Sequence, residues 1–237
     1  MVKLSEQIST EESEIPQTLY DDKPENILIE GKFGSGKSGA GVSLLNQMVT
    51  ECTHVYSNSR LRPENFDAPF EYQLIPVISY NHLLSFKRDS IAYISEIHKL
   101  FDRRESMSKK NILATQSIQE IRKCAYKIIS DCETAILLDF RYLRTTTDII
   151  RAYGNISHII DDRLIKQIPQ SVLINMYAHL NEKNYKFYFL YQMEKYDASC
   201  DEVIPQGQWF ILDIRDAFDK YYTHERIQKS SSMLNYI

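Results

Sequence analysis

The chain has 237 residues, 43% hydrophobic and 25% charged, with a formal net charge of −4, a balance typical of a globular protein able to bury a sizeable core. No apolar run approaches the roughly 18 residues of a membrane span and no apolar secretory segment opens the sequence, so a cytoplasmic protein without a membrane span is expected. The acidic balance excludes a surface that coats nucleic acid by charge alone, though not local basic patches, and cysteines at 52, 124, 132 and 200 form no C-x-x-C pair that would suggest zinc or redox chemistry.

Residues 1–24 carry polar and acidic clusters (SEQISTEESE) and read as a mobile N-terminal arm ahead of a single α/β domain over 25–237. The apolar run 27–29 predicts a buried strand, 37–50 a helix containing VSLLNQMV, and Val55 with Tyr56 a second strand ended by Ser57, Asn58 and Pro63. Strand, helix and strand make one right-handed unit. Prolines at 63, 69 and 76 make 63–87 irregular, wrapping an edge of the sheet. SIAYISEIH (90–98) predicts a strand ending at Ser95 and Glu96, followed by the helix-like KLFDRRESMSKK. NILATQS (111–117) and TAILLDF (134–140) predict further buried strands, with helices over 118–129 and 162–180. YKFYFLY (185–191) and QWFILDI (208–214), rich in aromatic and β-branched residues, read as a hairpin or two edge strands, and QKSSSMLNYI as a frayed tail.

One stretch organises the rest. NILIEGKFGSGKSGAG (26–41) fits G-x-x-x-x-G-K-[ST] at every fixed position, with Gly31, Gly36, Lys37 and Ser38, and it holds five of the seven glycines in the protein. A strand, a glycine-rich turn and a helix N-terminus together direct backbone N–H groups and a positive dipole end at one point, which suits a nucleotide triphosphate. Gly31, Phe33, Gly34, Ser35, Gly36, Lys37, Ser38 and Gly39 are the candidate cradle. Lys37 would reach the β- and γ-phosphates of ATP, and Ser38 would offer its hydroxyl to Mg²⁺.

Hydrolysis also needs a carboxylate at a neighbouring strand end to orient or deprotonate water, and Glu96 stands at such an end. The preceding position, where an aspartate ordinarily helps to hold the metal, is Ser95; Asp102 or Asp139 could supply the missing charge. Gln116 ends the following predicted strand and would lie beside Glu96 in a parallel sheet, able to sense the γ-phosphate or the attacking water.

GKFGSGKS, VYSN, YISEIHKLFDRRESMSKKN and ILATQS together resemble the FtsK/HerA-like P-loop ATPases of viruses, especially the genome-packaging ATPases of archaeal and other internal-membrane viruses. They are also similar to the Zot-like assembly ATPases of filamentous phages. The resemblance covers about 26–140, with a weaker echo at YYTHERI. It implies a RecA-like core with a mostly parallel central sheet flanked by helices, here with a C-terminal β-rich extension, and catalytic roles for Lys37, Glu96 and Gln116. It further implies a DNA-translocating motor acting on double-stranded DNA as a homo-oligomeric ring, a pentamer or hexamer, with capsid or membrane-vertex proteins as further partners. Such a ring would lend an arginine from each subunit to the next, with Arg103 or Arg104 the candidates, set among Lys109 and Lys110, and Arg141 and Arg144 behind them. Two departures stand out: Ser95 in place of aspartate, bearing on Mg²⁺ (candidate metal residues Ser38, Ser95 and Glu96), and a short crossover at 99–111. The competing readings are a Zot-like, nucleotide-dependent virion assembly protein without DNA translocation, and a small-molecule kinase, for which no arginine-rich lid is recognisable.

Overall fold

The structure, a computed structural model, describes residues 25–50, 53–105, 127–159, 162–197, 202–203 and 207–222. Its frame is a single sheet. β1 (Asn26–Glu30) runs into α1 (Lys37–Met48) and β2 (His54–Ser57), followed by β3 (Glu71–Leu74), α2 (Tyr80–Ser85), β4 (Ile91–Ile94) and β5 (Lys127–Cys132). After α3 (Phe140–Leu143) come β6 (Asp148–Asn155), α4 (Asp162–Ile165), α5 (Gln170–Leu180), β7 (Tyr188–Asp197), β8 (Glu202–Val203), β9 (Gln208–Asp213) and α6 (Arg215–Lys220). The strand order is β3-β2-β4-β5-β1-β6-β7, with β8 and β9 both pairing β7. β1 to β6 are mutually parallel and β7 runs antiparallel to β6 and β9, so the expected α/β architecture with a β-rich C-terminal portion is what the chain adopts.

The parallel strands are short apolar runs because both their faces are covered. On one face Ile27, Ile29, Val55, Tyr93, Ile129 and Ile150 pack against Val42, Leu44 and Leu45 of α1. On the other, Leu28, Ala92, Ile94, Ile128 and Ile149 meet Leu83 of α2, Ile97, Phe101 and Tyr142 of α3. A third apolar cluster, with Ile156, Met176, Leu190 and Ile211, lies under α5.

Several expectations need correction. The strand between β1 and β4 is KIISDC, part of which was expected in a helix over 118–129; Ile128 and Ile129 are buried on opposite faces, a demand that β-branched residues meet better in a strand. TAILLDF is not a strand: Thr134 caps a 3-10 turn at Ala135–Leu137, Glu30 accepts a hydrogen bond from the Ala135 amide at 2.9 Å, and α3 follows. Both sides of β1 and of β4 are already paired, which leaves TAILLDF no place beside them. Residues 63–87 hold β3 and α2 rather than an irregular wrap, and the expected helix 162–180 breaks before Pro169, which cannot continue it. The described part of the helix-like 99–110 holds no α-helix but 3-10 turns and an isolated bridge from Asp102 to Leu138. β6 was not foreseen, and NILATQS lies outside the described residues.

Candidate functional site

The loop after β1 is tied at its base and shaped at its end. The Gly31 amide donates to the Cys132 and Glu133 carbonyls at 3.3 and 3.2 Å, fastening the loop to the end of β5, and the Ser35 amide donates to the Lys32 carbonyl at 3.2 Å. Gly36, at φ 88°, turns the chain into α1 from the left-handed region, and a Cβ there would meet Phe189 and Tyr191 at 2.6 Å. The Tyr191 hydroxyl, carried by β7, donates to the Gly36 carbonyl at 3.0 Å. Gly39 lets α1 approach the residue after β9: a Cβ would lie 2.7 Å from Ile214. Of the cradle residues, Gly39 is therefore also a packing residue.

The arrangement fits a polyphosphate. α1 has no side-chain cap at Gly36 and no acidic residue in its first turn, so its N-terminal dipole end is left positive. Ser35 is 4% exposed and its Oγ makes no hydrogen bond among the described residues, an orphaned donor inside the loop. The Lys37 ammonium donates to the Gly31 and Lys32 carbonyls at 2.6 and 2.9 Å, which keeps its charge at the loop. Gly34 and Phe33 form the outer rim, where Phe33 is 97% exposed.

Ser38 and Glu96 line the same cleft of about 870 Å³, together with Asn58, Arg60, Tyr93 and Tyr222. Glu96 follows β4 in a left-handed conformation (φ 58°, ψ 47°), uncommon for a residue with a side chain and characteristic of functional turns. Its position is held from two directions. Asn58 pairs with the backbone of buried Ser95, donating to its carbonyl and accepting from its amide, both at 2.8 Å, while the Glu96 amide donates to Asp131 Oδ1 at 2.9 Å. The Glu96 carboxylate forms an ion pair with Lys99.

Ser38, Ser95 and Glu96 are thus gathered with the loop, whereas the alternative carboxylates are committed elsewhere. Asp102 is bound by the Arg104 guanidinium (2.7 Å), whose hydrogen bonds hold its carboxyl down to about 2. Buried Asp139 caps α3, accepting from the Arg141 amide at 2.9 Å. Arg103 is exposed on the turn beyond β4, and Arg141 and Arg144 lie 5.4 and 5.2 Å from the Phe140 ring. Gln116, Lys109 and Lys110 lie outside the described residues; the strand end beside Glu96 is that of β5, where Asp131 stands. Asp131, Asn58 and Tyr191 were missed. VYSN had marked Asn58 as part of a motif, but nothing local marks KIISDC as the strand beside β4.

No family model and no curated protein matches the chain. Among solved structures it is similar to the N-terminal domain of zonular occludens toxin from Neisseria meningitidis, with 17% identity, 84% of this chain and 100% of that one covered, and a TM-score of 0.52. It also matches B204, the DNA-packaging ATPase from Sulfolobus turreted icosahedral virus, at 13% identity, 78% and 97% coverage and a TM-score of 0.43. A third match is EssC (ATPases 2 and 3) from Geobacillus thermodenitrificans, at 10% identity, 85% and 40% coverage and a TM-score of 0.38. The chain shares the fold of the zonular occludens toxin N-terminal domain, in line with the resemblance carried by GKFGSGKS and VYSN.

Proposed function

We propose that the chain binds ATP with Mg²⁺ through residues 31–38 and hydrolyses it, and that turnover moves double-stranded DNA, with viral genome packaging by a homo-oligomeric ring as its setting. The observation that carries the hydrolytic part is the meeting of Ser38 and Glu96 on one cleft, with the Glu96 backbone fixed from β2 and β5. Lys37 and the α1 N-terminus stabilise the phosphates, and the Ser38 hydroxyl would hold Mg²⁺, which when bound would neutralise part of their charge. Glu96 takes a proton from water as its oxygen bonds to the γ-phosphorus and the bond to the β–γ bridging oxygen breaks, releasing ADP and phosphate. Arg103, exposed beyond β4, is the better placed of the two arginine candidates to reach a neighbouring subunit, because Arg104 is held by Asp102.

The DNA part rests on the sequence resemblance. The second reading, a virion assembly ATPase without translocation, is favoured by the exposed apolar side chains Phe33, Ile136 and Phe140, which suit protein contacts better than phosphates. ATPase activity with and without duplex DNA, at two salt concentrations and with Lys37→Ala as the blank, separates the readings. Stimulation by duplex that fades with salt is expected of a translocase. Turnover indifferent to DNA selects the assembly reading, and turnover no higher than that of the blank under every condition overturns both.

A further inference from the structure

Ser95 stands where a metal-holding aspartate is expected, and neither Asp102 nor Asp139 is placed to replace it. The register of the sheet identifies a different carboxylate. Ile94 of β4 pairs with Ser130 of β5, and Ile29 of β1 pairs with Asp131, so Asp131, the last residue but one of β5, stands level with Ser95 on one side and with Ile29, just before the loop, on the other. Side chains along β5 alternate: Ile129 belongs to the core under α1, Ile128 and Cys132 to the opposite core, and Ser130 points to that opposite side, with its Oγ 2.7 Å from the Tyr142 hydroxyl. Asp131 therefore shares the α1 face with Ile129, and it is 1% exposed there. On the next strand Tyr93 lies on the same face, which places Ser95 in the same row. The Gly31 amide, bonded to the carbonyls of Cys132 and Glu133, holds the loop directly against this strand end.

We propose that Asp131 is the carboxylate that replaces the missing aspartate: from the strand beside Ser95 it orders the water shell of the Mg²⁺ carried by the nucleotide, while its Oδ1 fixes the backbone of Glu96. This proposal rests on the nucleotide-hydrolysis reading. A carboxylate buried beneath the loop is well suited to the task, because a hydrated divalent ion gains most from a fixed negative charge where bulk water is excluded. Its position gives a chain with serine before the glutamate a carboxylate on the neighbouring strand, bonded to the Glu96 amide. Asp131 is a positioning residue, acting through the metal's waters and the Glu96 amide.

The test measures binding of a fluorescent, non-hydrolysable ATP analogue in EDTA and across a Mg²⁺ titration. Asp131→Asn keeps an oxygen able to accept from the Glu96 amide, so thermal melting should show it folded. We expect its Mg²⁺ half-saturation to rise by about tenfold or more while affinity in EDTA changes by less than about threefold. The double variant Ser95→Asp with Asp131→Ser moves the carboxylate back one strand and should recover most of the Mg²⁺ response, which a merely structural role for Asp131 would not allow. Unchanged Mg²⁺ half-saturation in folded Asp131→Asn overturns the proposal, as does loss of EDTA affinity equal to the loss in Mg²⁺. Failure of the parental protein to bind the analogue at all overturns the nucleotide reading itself.

Discussion

The two flanks of α1 are built from opposite materials. Towards β4 and β5 the strands end in Ser95, Glu96 and Asp131, whereas towards β6, β7 and β9 the loop and helix meet Ala152, Phe189, Tyr191 and Ile214. Glycines serve both flanks: Gly36 and Gly39 are needed where Phe189, Tyr191 and Ile214 press against the loop and helix, and Gly41 where Tyr93 of β4 does. One flank offers groups that can act on a phosphate and ties the base of the loop; the other braces the turn into α1. Rigid support is what gives fixed dipoles their effect in a transition state, because none of their orientation then has to be acquired during reaction.

Changes on the chemical flank should cost turnover rather than stability. Lys37→Ala removes the cation at the loop and should abolish ATP hydrolysis with the melting temperature close to the parental value; parental rates in a steady-state assay would refute the site. Glu96→Gln should cut turnover by about a hundredfold, the scale of a lost general base, with nucleotide affinity within a few fold. A parental turnover number in that variant would move the base elsewhere.

Changes on the supporting flank should reverse the pattern. Arg151 on β6 lies between Glu30 and buried Glu194, at ion-pair distances of 2.9 and 3.0 Å without full hydrogen-bond alignment. Burial pushes the Glu194 carboxyl up and the Glu30 charge adds to this, while Arg151 opposes it. A raised carboxyl is accommodated best when protonated, so its contribution to stability is present below the ordinary carboxylate range and is lost as pH rises through the folded value. Arg151→Met leaves two carboxylates facing each other and should cost about 2 kcal/mol at pH 8, below the value for a fully buried pair because the guanidinium is partly exposed, and less at pH 5. Urea melts at both pH values measure it, and equal losses would disprove the coupling. The smallest effect is expected from Tyr191→Phe, about 1 kcal/mol by thermal melting, since the Gly36 carbonyl still accepts from the Ala40 amide at 2.9 Å. A hundredfold loss of turnover in that variant would erase the distinction between the flanks.

Local signals were sufficient for the loop. A glycine-rich turn between an apolar triplet and an apolar helix matches a pattern that suits a phosphate, and strand β1, helix α1 and strand β2 stand where residues 26–58 predict them. Glu96 was legible for the same reason, as an acidic residue directly after a short buried run. TAILLDF and KIISDC show where local reading fails: both are short and apolar, and periodicity cannot rank two such runs for one place in a sheet.

The sequence by itself determined the strand, glycine-rich loop and helix of residues 26–48, the α/β class and the acidic residue after β4, because each depends on contacts within a few residues or on a fixed spacing. Only the tertiary structure decided which strand lies between β1 and β4, and hence that Asp131 stands beside Ser95 and accepts from the Glu96 amide. It also decided that Asn58, 37 residues from Ser95, clamps the backbone before Glu96, and that Tyr191, 155 residues from Gly36, braces the turn into α1. Those choices follow from strand order and register, which are set by how the whole set of apolar faces can be buried at once.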